Sequence, residues 1–368
     1  MQRDHQKYGS VIRYGPNKLI FNSARAVHDI YDNDDKVVKS HVYCAIMQAP
    51  GVYNIFTVID KPSHRVKRKI VGQAINDRSM RTFEPTMLEQ IDLFLKTVLA
   101  SSKESRPINL TEHIGYLACD IIALLSLGFP LRLQTDPEYR WMVDGAFSTS
   151  AAICALFFYL SRNPESYQKM AHELRSTFNS ASDIRAGPQL SSCVYLRACI
   201  DEALRIAPPV PGTLWREASP ELGNKPLIID GHVVPPGTQI GVNTYTIHHN
   251  EVYFPDSYSF KPERWLASET PETQRKLMNE AFCPFSIGDR GCAGKPMAYL
   301  EASLVLAKTL WYFDFKPAPG ELGRIGGGSS EMGAGRNRVD EYQLYDVIAG
   351  QHDGPYLVFT PRGDVSGL

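Results

Sequence analysis

One cysteine in this chain stands in a setting suited to metal chemistry. Cys292 lies in the run Phe285-Ser286-Ile287-Gly288-Asp289-Arg290-Gly291-Cys292-Ala293-Gly294-Lys295. A thiolate at Cys292 would be a soft anionic ligand for iron, and such a ligand on haem favours O–O cleavage. It has to stay deprotonated, so it needs positive potential. Residues 296–313 carry apolar side chains at helical spacing, at Met297, Leu300, Leu304, Leu306, Leu310 and Phe313. Cys292 then precedes a helix N-terminus, where free N–H groups and the helix dipole lower a thiol pKa. Gly288 and Gly294 let the backbone approach a flat ring or turn with positive φ. Arg290 is placed to fork onto a carboxylate, and Phe285 to shield the sulfur from water. A buried free cysteine in a glycine-rich loop is the plainer reading. It leaves the combination of Phe285, Gly288, Arg290, Cys292 and Gly294 unexplained.

Other charged positions take on meaning beside Cys292. His64 and Arg68 are one turn apart on a helix opened by Asp60-Lys61-Pro62-Ser63, with Asp60 or Ser63 as cap. A solvated basic face is the alternative there, since Arg65, Lys67 and Lys69 surround them. Glu202 and Arg205 form an i, i+3 pair on a helix predicted over 191–206, and Pro262-Glu263-Arg264-Trp265 follows downstream. Arg216 ends a strand predicted over 213–216.

The run Phe-x-x-Gly-x-Arg-x-Cys-x-Gly, with Glu202-x-x-Arg205 and Pro262-Glu263-Arg264-Trp265 before it, resembles the signature set of the cytochrome P450 superfamily of haem-thiolate monooxygenases. The style resembles fungal secondary-metabolite hydroxylases. The resemblance implies a mainly α fold with small β-sheets (α+β), and heme b with Cys292 as axial ligand. Phe285, Gly288, Arg290 and Gly294 would surround that cofactor, and Arg290, Arg216, His64 and Arg68 would face its propionates. It implies that Glu202, Arg205 and Arg264 form a buried network holding the cysteine loop. It also implies an NADPH-dependent flavin reductase as electron donor, O₂ and a small hydrophobic substrate as reactants, and a place at the endoplasmic reticulum membrane.

One region departs from the pattern. Residues 151–160 followed by Arg162-Asn163-Pro164 resemble the second half of the superfamily's central helix and the turn after it. Aligning back from there puts Phe147 at the acidic position over the oxygen site and Ser148 at the threonine. Ser148 keeps a hydroxyl and is the catalytic candidate; Phe147 cannot relay a proton. The chain reads as one domain over 1–368 with a deletion junction at 144–150. That junction keeps two alternatives open: a non-catalytic haem-binding remnant or incomplete gene model, and a haem-thiolate isomerase or dehydratase that needs no proton relay.

Composition bounds the rest. The chain has 368 residues, 43% hydrophobic and 21% charged, with net charge −1. That is a globular balance with no electrostatic case for nucleic acid. Seven cysteines are scattered without CxxC spacing, which argues against a disulfide framework, a zinc site or covalently attached haem. The first nine residues are polar, and the apolar run 151–160 is well short of the roughly 20 residues that span a bilayer. As written, the chain is expected to be soluble and cytoplasmic, without the anchor of full-length relatives.

The elements that must position these residues are largely punctuated by turns and caps. A hairpin is predicted at Tyr14-Gly15-Pro16-Asn17, followed by a helix capped by Ser23. Helices are expected over 83–99, 108–127 and 164–178, the last capped by Asn163. Short strands are expected over 227–229, 233–234 and 239–245. His248 and His249 read as packing rather than as metal ligands. Residues 320–335 read as a flexible glycine-rich stretch, and Asp353-Gly354-Pro355 as the turn of a last hairpin joining 345–348 to 356–359.

Overall fold

The computed structural model describes residues 1–33, 35–47, 49–143, 148–223, 225–365 and 367–368. The chain is mainly helical with small sheets, as expected. Two compact units share it. The first holds Met1–Asn76, Pro211–Ser257 and Glu272–Lys295; the second holds Asp77–Val210, Tyr258–Pro271 and Pro296–Leu368.

The first unit is built on a five-stranded sheet in the order Val11–Gly15, Lys18–Phe21, Gln239–Val242, Arg216–Ala218, Val37–Lys39. The hairpin at Gly15-Pro16-Asn17 forms as predicted, with Ile12 opposite Ile20. Lys18–Phe21 then runs parallel to Gln239–Val242, Ile20 beside Gly241. Ser23 caps the helix Ala24–Tyr31 by accepting from the Ala26 N–H at 3.1 Å. That helix buries Val27, Ile30 and Tyr31, and the Tyr31 hydroxyl donates to the Val242 carbonyl and accepts from its N–H.

Two strand predictions are corrected here. The extended segment begins at Arg216 rather than Thr213, which makes only an isolated bridge with Asn243. The strand predicted to 245 stops at Val242. Asn243 Oδ1 accepts from the Thr246 N–H at 2.9 Å and its hydroxyl at 2.7 Å, and so caps a short helix Thr244–His248. His248 and His249 are fully buried. His248 Nε2 accepts from the Cys283 N–H at 3.0 Å, and His249 stacks on Tyr245 with ring centroids 4.0 Å apart. Among the described residues no group of His, Cys, Asp and Glu is placed to hold a metal ion.

The second unit is a helical layer packed on a small sheet. Its helices include Asp77–Lys103, Leu110–Leu127, Ser148–Arg162, Pro164–Thr177 and Val194–Ile206. The first starts earlier than predicted and runs through Pro85. The second starts at Leu110 because Asn109 caps it, its side chain accepting from the Thr111 N–H at 3.0 Å. Leu110–Leu127 is long and apolar enough to cross a membrane, but half of it is buried in the protein. Its Asp120 accepts from the Leu133 and Gln134 N–H groups, as a core helix of a folded unit would. Asn163 precedes Pro164–Thr177 but makes no side-chain cap; its amide instead donates back to the Tyr159 carbonyl at 2.7 Å. The helix predicted over 296–313 spans Lys295–Tyr312, and Phe313 opens a strand. It is not a one-sided amphipathic helix. Leu304, Val305, Leu306 and Ala307 are buried in succession, so the helix is enclosed on several faces.

The C-terminal region differs from expectation twice. Tyr345–Val347 folds onto Ala349–Gln351, while Tyr356–Pro361 pairs with Phe313–Pro317 and Ile108–Asn109. The reason is burial: Leu357 and Phe359 face inward, Phe359 lying among Phe157, Phe313 and Phe315, whereas Tyr345–Val347 is exposed along its length. Within residues 320–335 several glycines are closely packed, although most of the stretch is exposed. A Cβ on Gly327 would meet the Val339 carbonyl at 2.3 Å, and one on Gly328 the Arg336 carbonyl at 2.2 Å. These glycines serve close backbone approach.

Candidate functional site

The cysteine loop belongs to the first unit. It is closed by the Cys292 N–H donating to the Phe285 carbonyl at 2.8 Å and the Gly291 N–H donating to the Gly288 carbonyl at 2.9 Å. Gly288 has φ +69°, and a Cβ there would stand 2.2 Å from the Tyr31 carbonyl oxygen. Only glycine fits that corner. Gly294 is different: a Cβ would touch only the Cys292 sulfur, at 3.8 Å.

Cys292 is exposed, while five other cysteines are buried and Cys44 is intermediate. Phe285 accepts from the Cys292 N–H through its carbonyl, and its ring centroid lies 5.9 Å from Lys295 Nζ. The expectation of a depressed thiol pKa is reversed. Loss of hydration around the sulfur pushes the thiol up, and this outweighs the Gly294 and Lys295 backbone N–H groups and the charges of Arg68 and Lys295, which pull it down. On coordination Cys292 would give up that proton, as coordinating thiols do.

The helix that carries His64 and Arg68 spans Lys61–Ala74. Asp60 caps it by accepting from the Ser63 N–H at 2.7 Å. His64 and Arg68 share a face, as predicted, and Arg68 donates to the Gly291 carbonyl beside the cysteine. Arg290 donates from both terminal nitrogens to backbone carbonyls, those of Val58 at 2.8 Å and Ile59 at 2.7 Å. A cavity of about 540 Å³ opens between this helix and the loop. Lys61, His64, Arg65, Arg68 and Lys69 line it from the helix, Gly288, Asp289 and Arg290 from the loop, and Asp35 from a turn. Its volume is in the range of ligand pockets, roughly 300–1,000 Å³, and its charge is predominantly positive.

Coupled electrostatically to His64 and Arg290 is a basic residue that sequence reasoning missed. Lys39 is 5% exposed and Arg216 is 2% exposed. They face each other across the antiparallel pair formed by Val37–Lys39 and Arg216–Ala218, where they are register partners. Lys39 Nζ donates to the Phe56 carbonyl and lies 4.7 Å from the ring centroids of both Tyr43 and Phe56. The Arg216 guanidinium is 5.1 Å from the Tyr31 ring centroid and donates to the Trp215 carbonyl. Burial, then Arg216 and Arg290, bring the Lys39 pKa down to about 7. Burial, then Arg290, Lys39 and Arg68, push His64 down to about 4. Lys39, His64, Arg68, Arg216 and Arg290 thus form a basic cradle in which the neighbouring positive charges disfavour protonation of Lys39 and His64. The sequence held one signal for Lys39: with Val37 it occupies the inward face of a two-residue alternation.

The predicted ionic network forms in the second unit. Glu202 and Arg205 are fully buried on Val194–Ile206, and Arg264 is buried in the turn Pro262–Trp265. Glu202 accepts from Arg205 Nη2 at 2.8 Å and Nε at 2.9 Å, from Arg264 Nε at 3.0 Å, from Trp265 Nε1 at 3.0 Å, and from the Lys261 N–H at 3.0 Å. Burial alone would raise its pKa; the two arginines overcome that and hold it below the usual carboxylate range. Ser148 is also in this unit, exposed at the start of Ser148–Arg162. Asp144, Gly145, Ala146 and Phe147, the greater part of the predicted junction, lie outside the described residues.

A family model described as cytochrome P450 matches residues 1–148 and 139–324. A cytochrome P450 monooxygenase, poxM, of Penicillium oxalicum is 30% identical over 454 residues, covering 97% of this chain and 84% of that protein. A cytochrome P450 monooxygenase of Gibberella zeae is 30% identical over 433 residues, covering 92% of this chain and 98% of its own length. The monooxygenase apf8 of Gibberella fujikuroi is 40% identical over 220 residues, 59% of this chain and 57% of that protein. The poxM alignment is longer than the 368-residue chain, so that relative carries stretches for which this chain has no counterpart. The cysteine loop, the cation-lined cavity and the Glu202 network therefore sit in a chain that belongs to the cytochrome P450 family, whose members carry a thiolate-ligated haem.

Proposed function

We propose that this chain holds heme b through Cys292 and hydroxylates a small hydrophobic organic molecule of fungal secondary metabolism. The observation that carries the reading is that one unit holds both the Cys292 loop and a cluster of basic side chains. Cys292 is an exposed residue of that loop, while Lys39 and Arg216 are buried with no carboxylate in ion-pair distance among the described residues. Buried like charges are costly unless an anion neutralises them. A thiol ligand beside basic side chains is the donor set that a metal-bearing group with two carboxylates would call for, Cys292 holding the metal and the basic residues the carboxylates. Bound, a thiolate-ligated haem supplies O₂ activation and transfer of one oxygen atom to a C–H bond.

The chain's own residues would do the following. Cys292 anchors the group, and Gly288 allows the loop's tight approach to Tyr31. Arg68 fixes the cysteine loop through the Gly291 carbonyl. Arg290, Arg216, His64 and Arg68 meet the carboxylates. Ser148 is the hydroxyl assigned to the oxygen side. Glu202, Arg205 and Arg264 keep the second unit's helix and turn in register. Electrons would come from an NADPH-dependent flavin reductase at the endoplasmic reticulum membrane, as the resemblance implies. The reading keeps a single domain from which a segment is absent at 144–150. The family model matches in two stretches that overlap at 139–148, which favours that position, and the poxM alignment, longer than this chain, accords with an absent segment.

The test is expression of the full chain, followed by its reduced carbon-monoxide difference spectrum and turnover with a reductase and NADPH. A thiolate-type Soret band that disappears in Cys292→Ala, with folding retained, is expected. No pigment in the wild type, or an unchanged band in Cys292→Ala, would sink the assignment.

A further inference from the structure

We propose that Lys39 is the charge-adjusting member of the cradle: it takes up a proton when the two carboxylates of the macrocycle enter, so that ligand binding consumes a proton. This rests on the haem reading above. The step is balanced simply. The Lys39 amine lone pair takes one proton from water or buffer, and no bond to the ligand is made or broken.

The geometry comes first. Lys39 is buried at the end of its strand, its Nζ tied to the Phe56 carbonyl between the rings of Tyr43 and Phe56. The charged groups acting on it are Arg216 from the neighbouring strand and Arg290 from the cysteine loop; it in turn acts on His64 of the Lys61–Ala74 helix. No acidic group is among them. A guanidinium does not give up its proton in proteins, so of these groups the amine is the one that can yield. Its pKa near 7 leaves it largely neutral at pH 8. An incoming dianion reverses the sign of the local potential and favours the ammonium form. His64, pushed to about 4, would respond in the same direction but at lower pH. Tyr43 is raised by burial and stays neutral throughout. Between pH 7 and 8.5 the response therefore belongs to Lys39.

The full chain, purified free of haem, is titrated with haem at pH 8 by calorimetry in two buffers that differ in ionisation heat. Wild type should take up close to one proton more than Lys39→Arg, whose side chain is charged before the ligand arrives. The affinity of wild type should fall roughly tenfold more than that of Lys39→Arg between pH 7 and 8.5. Any proton released by Cys292 is common to both and cancels. If Lys39→Arg does not fold, Lys39→Met, a neutral chain suited to a site between two rings, replaces it. Haem dimethyl ester, which lacks the carboxylates, needs no variant: the extra proton should vanish with it. Equal proton counts in wild type and variant, or an undiminished count with the ester, overturn the proposal while leaving haem binding intact. Failure of wild type to take up haem at any pH overturns the parent reading as well.

Discussion

Glu202 Oε1 accepts from Arg264 Nε at 3.0 Å, across 62 positions of sequence, while Arg205 donates to both oxygens of the same carboxylate. All three side chains are buried. Removing either arginine leaves a carboxylate short of partners in a low-dielectric site, at a cost of about 3–5 kcal/mol. Arg264→Ala should lower the urea midpoint accordingly, and Arg205→Ala should do at least as much. Trp265→Phe deletes one neutral donor, and a loss nearer 1.5–3 kcal/mol is expected because the acceptor is charged. A midpoint unchanged in Arg264→Ala would mean that the network contributes nothing.

Two glycines of the cysteine loop should behave differently. Gly288→Ala places a Cβ 2.2 Å from the Tyr31 carbonyl at a backbone angle of +69°. It must displace backbone, and a loss above about 2 kcal/mol is expected. Gly294→Ala meets only the Cys292 sulfur at 3.8 Å. Its haem-free stability should stay within about 0.5 kcal/mol of wild type. Urea unfolding of the haem-free proteins checks both. Equal losses would show that the loop's shape does not distinguish them.

Asp60 caps the helix that carries His64 and Arg68. Asp60→Ala should cost about 1 kcal/mol, and Asp60→Ser should recover most of it. Thermal unfolding of the three proteins at pH 7 measures this. A loss that serine does not restore would point to the charge of Asp60 rather than to its hydrogen bond.

Glu301 is fully buried on Lys295–Tyr312, and burial pushes its pKa up to about 8. The folded protein therefore keeps a proton that the unfolded chain releases above the ordinary carboxylate range. Between about pH 4.5 and 8 the unfolded state binds fewer protons, so this group makes stability fall as pH rises. The slope has a ceiling of about 1.4 kcal/mol per pH unit. Glu301→Gln should be close to wild type at pH 5 and more stable at pH 8, as read from urea midpoints. A difference that does not change with pH would refute the assignment.

The features of the candidate site were legible to different depths. Cys292, Arg290 and Gly288 stand in one short run, so local spacing sufficed to single them out. Glu202 and Arg205 also share a helix turn, and Arg264 needed only a second motif. Lys39 escaped notice because its role depends on Arg216 becoming its register partner, 177 positions away. That Cys292 is exposed as a residue was not legible, because exposure depends on packing around the loop and not on the loop's sequence. The thiol's shift had its sign misread for a related reason. Helix position is local, but loss of hydration is summed over everything nearby.

The sequence by itself determined which residues carry charge and sulfur, where glycine must relieve the backbone, and which short segments are capped. Asp60, Ser23 and the Gly15-Pro16-Asn17 turn act over a few bonds, so neighbouring residues decide them. The tertiary structure decided which strand Tyr356–Pro361 pairs with, how closely backbone approaches Gly327 and Gly328, and that Lys39 and Arg216 are buried face to face. Those outcomes turn on competition between distant apolar and charged surfaces, whose free energies exist only once the partners have met.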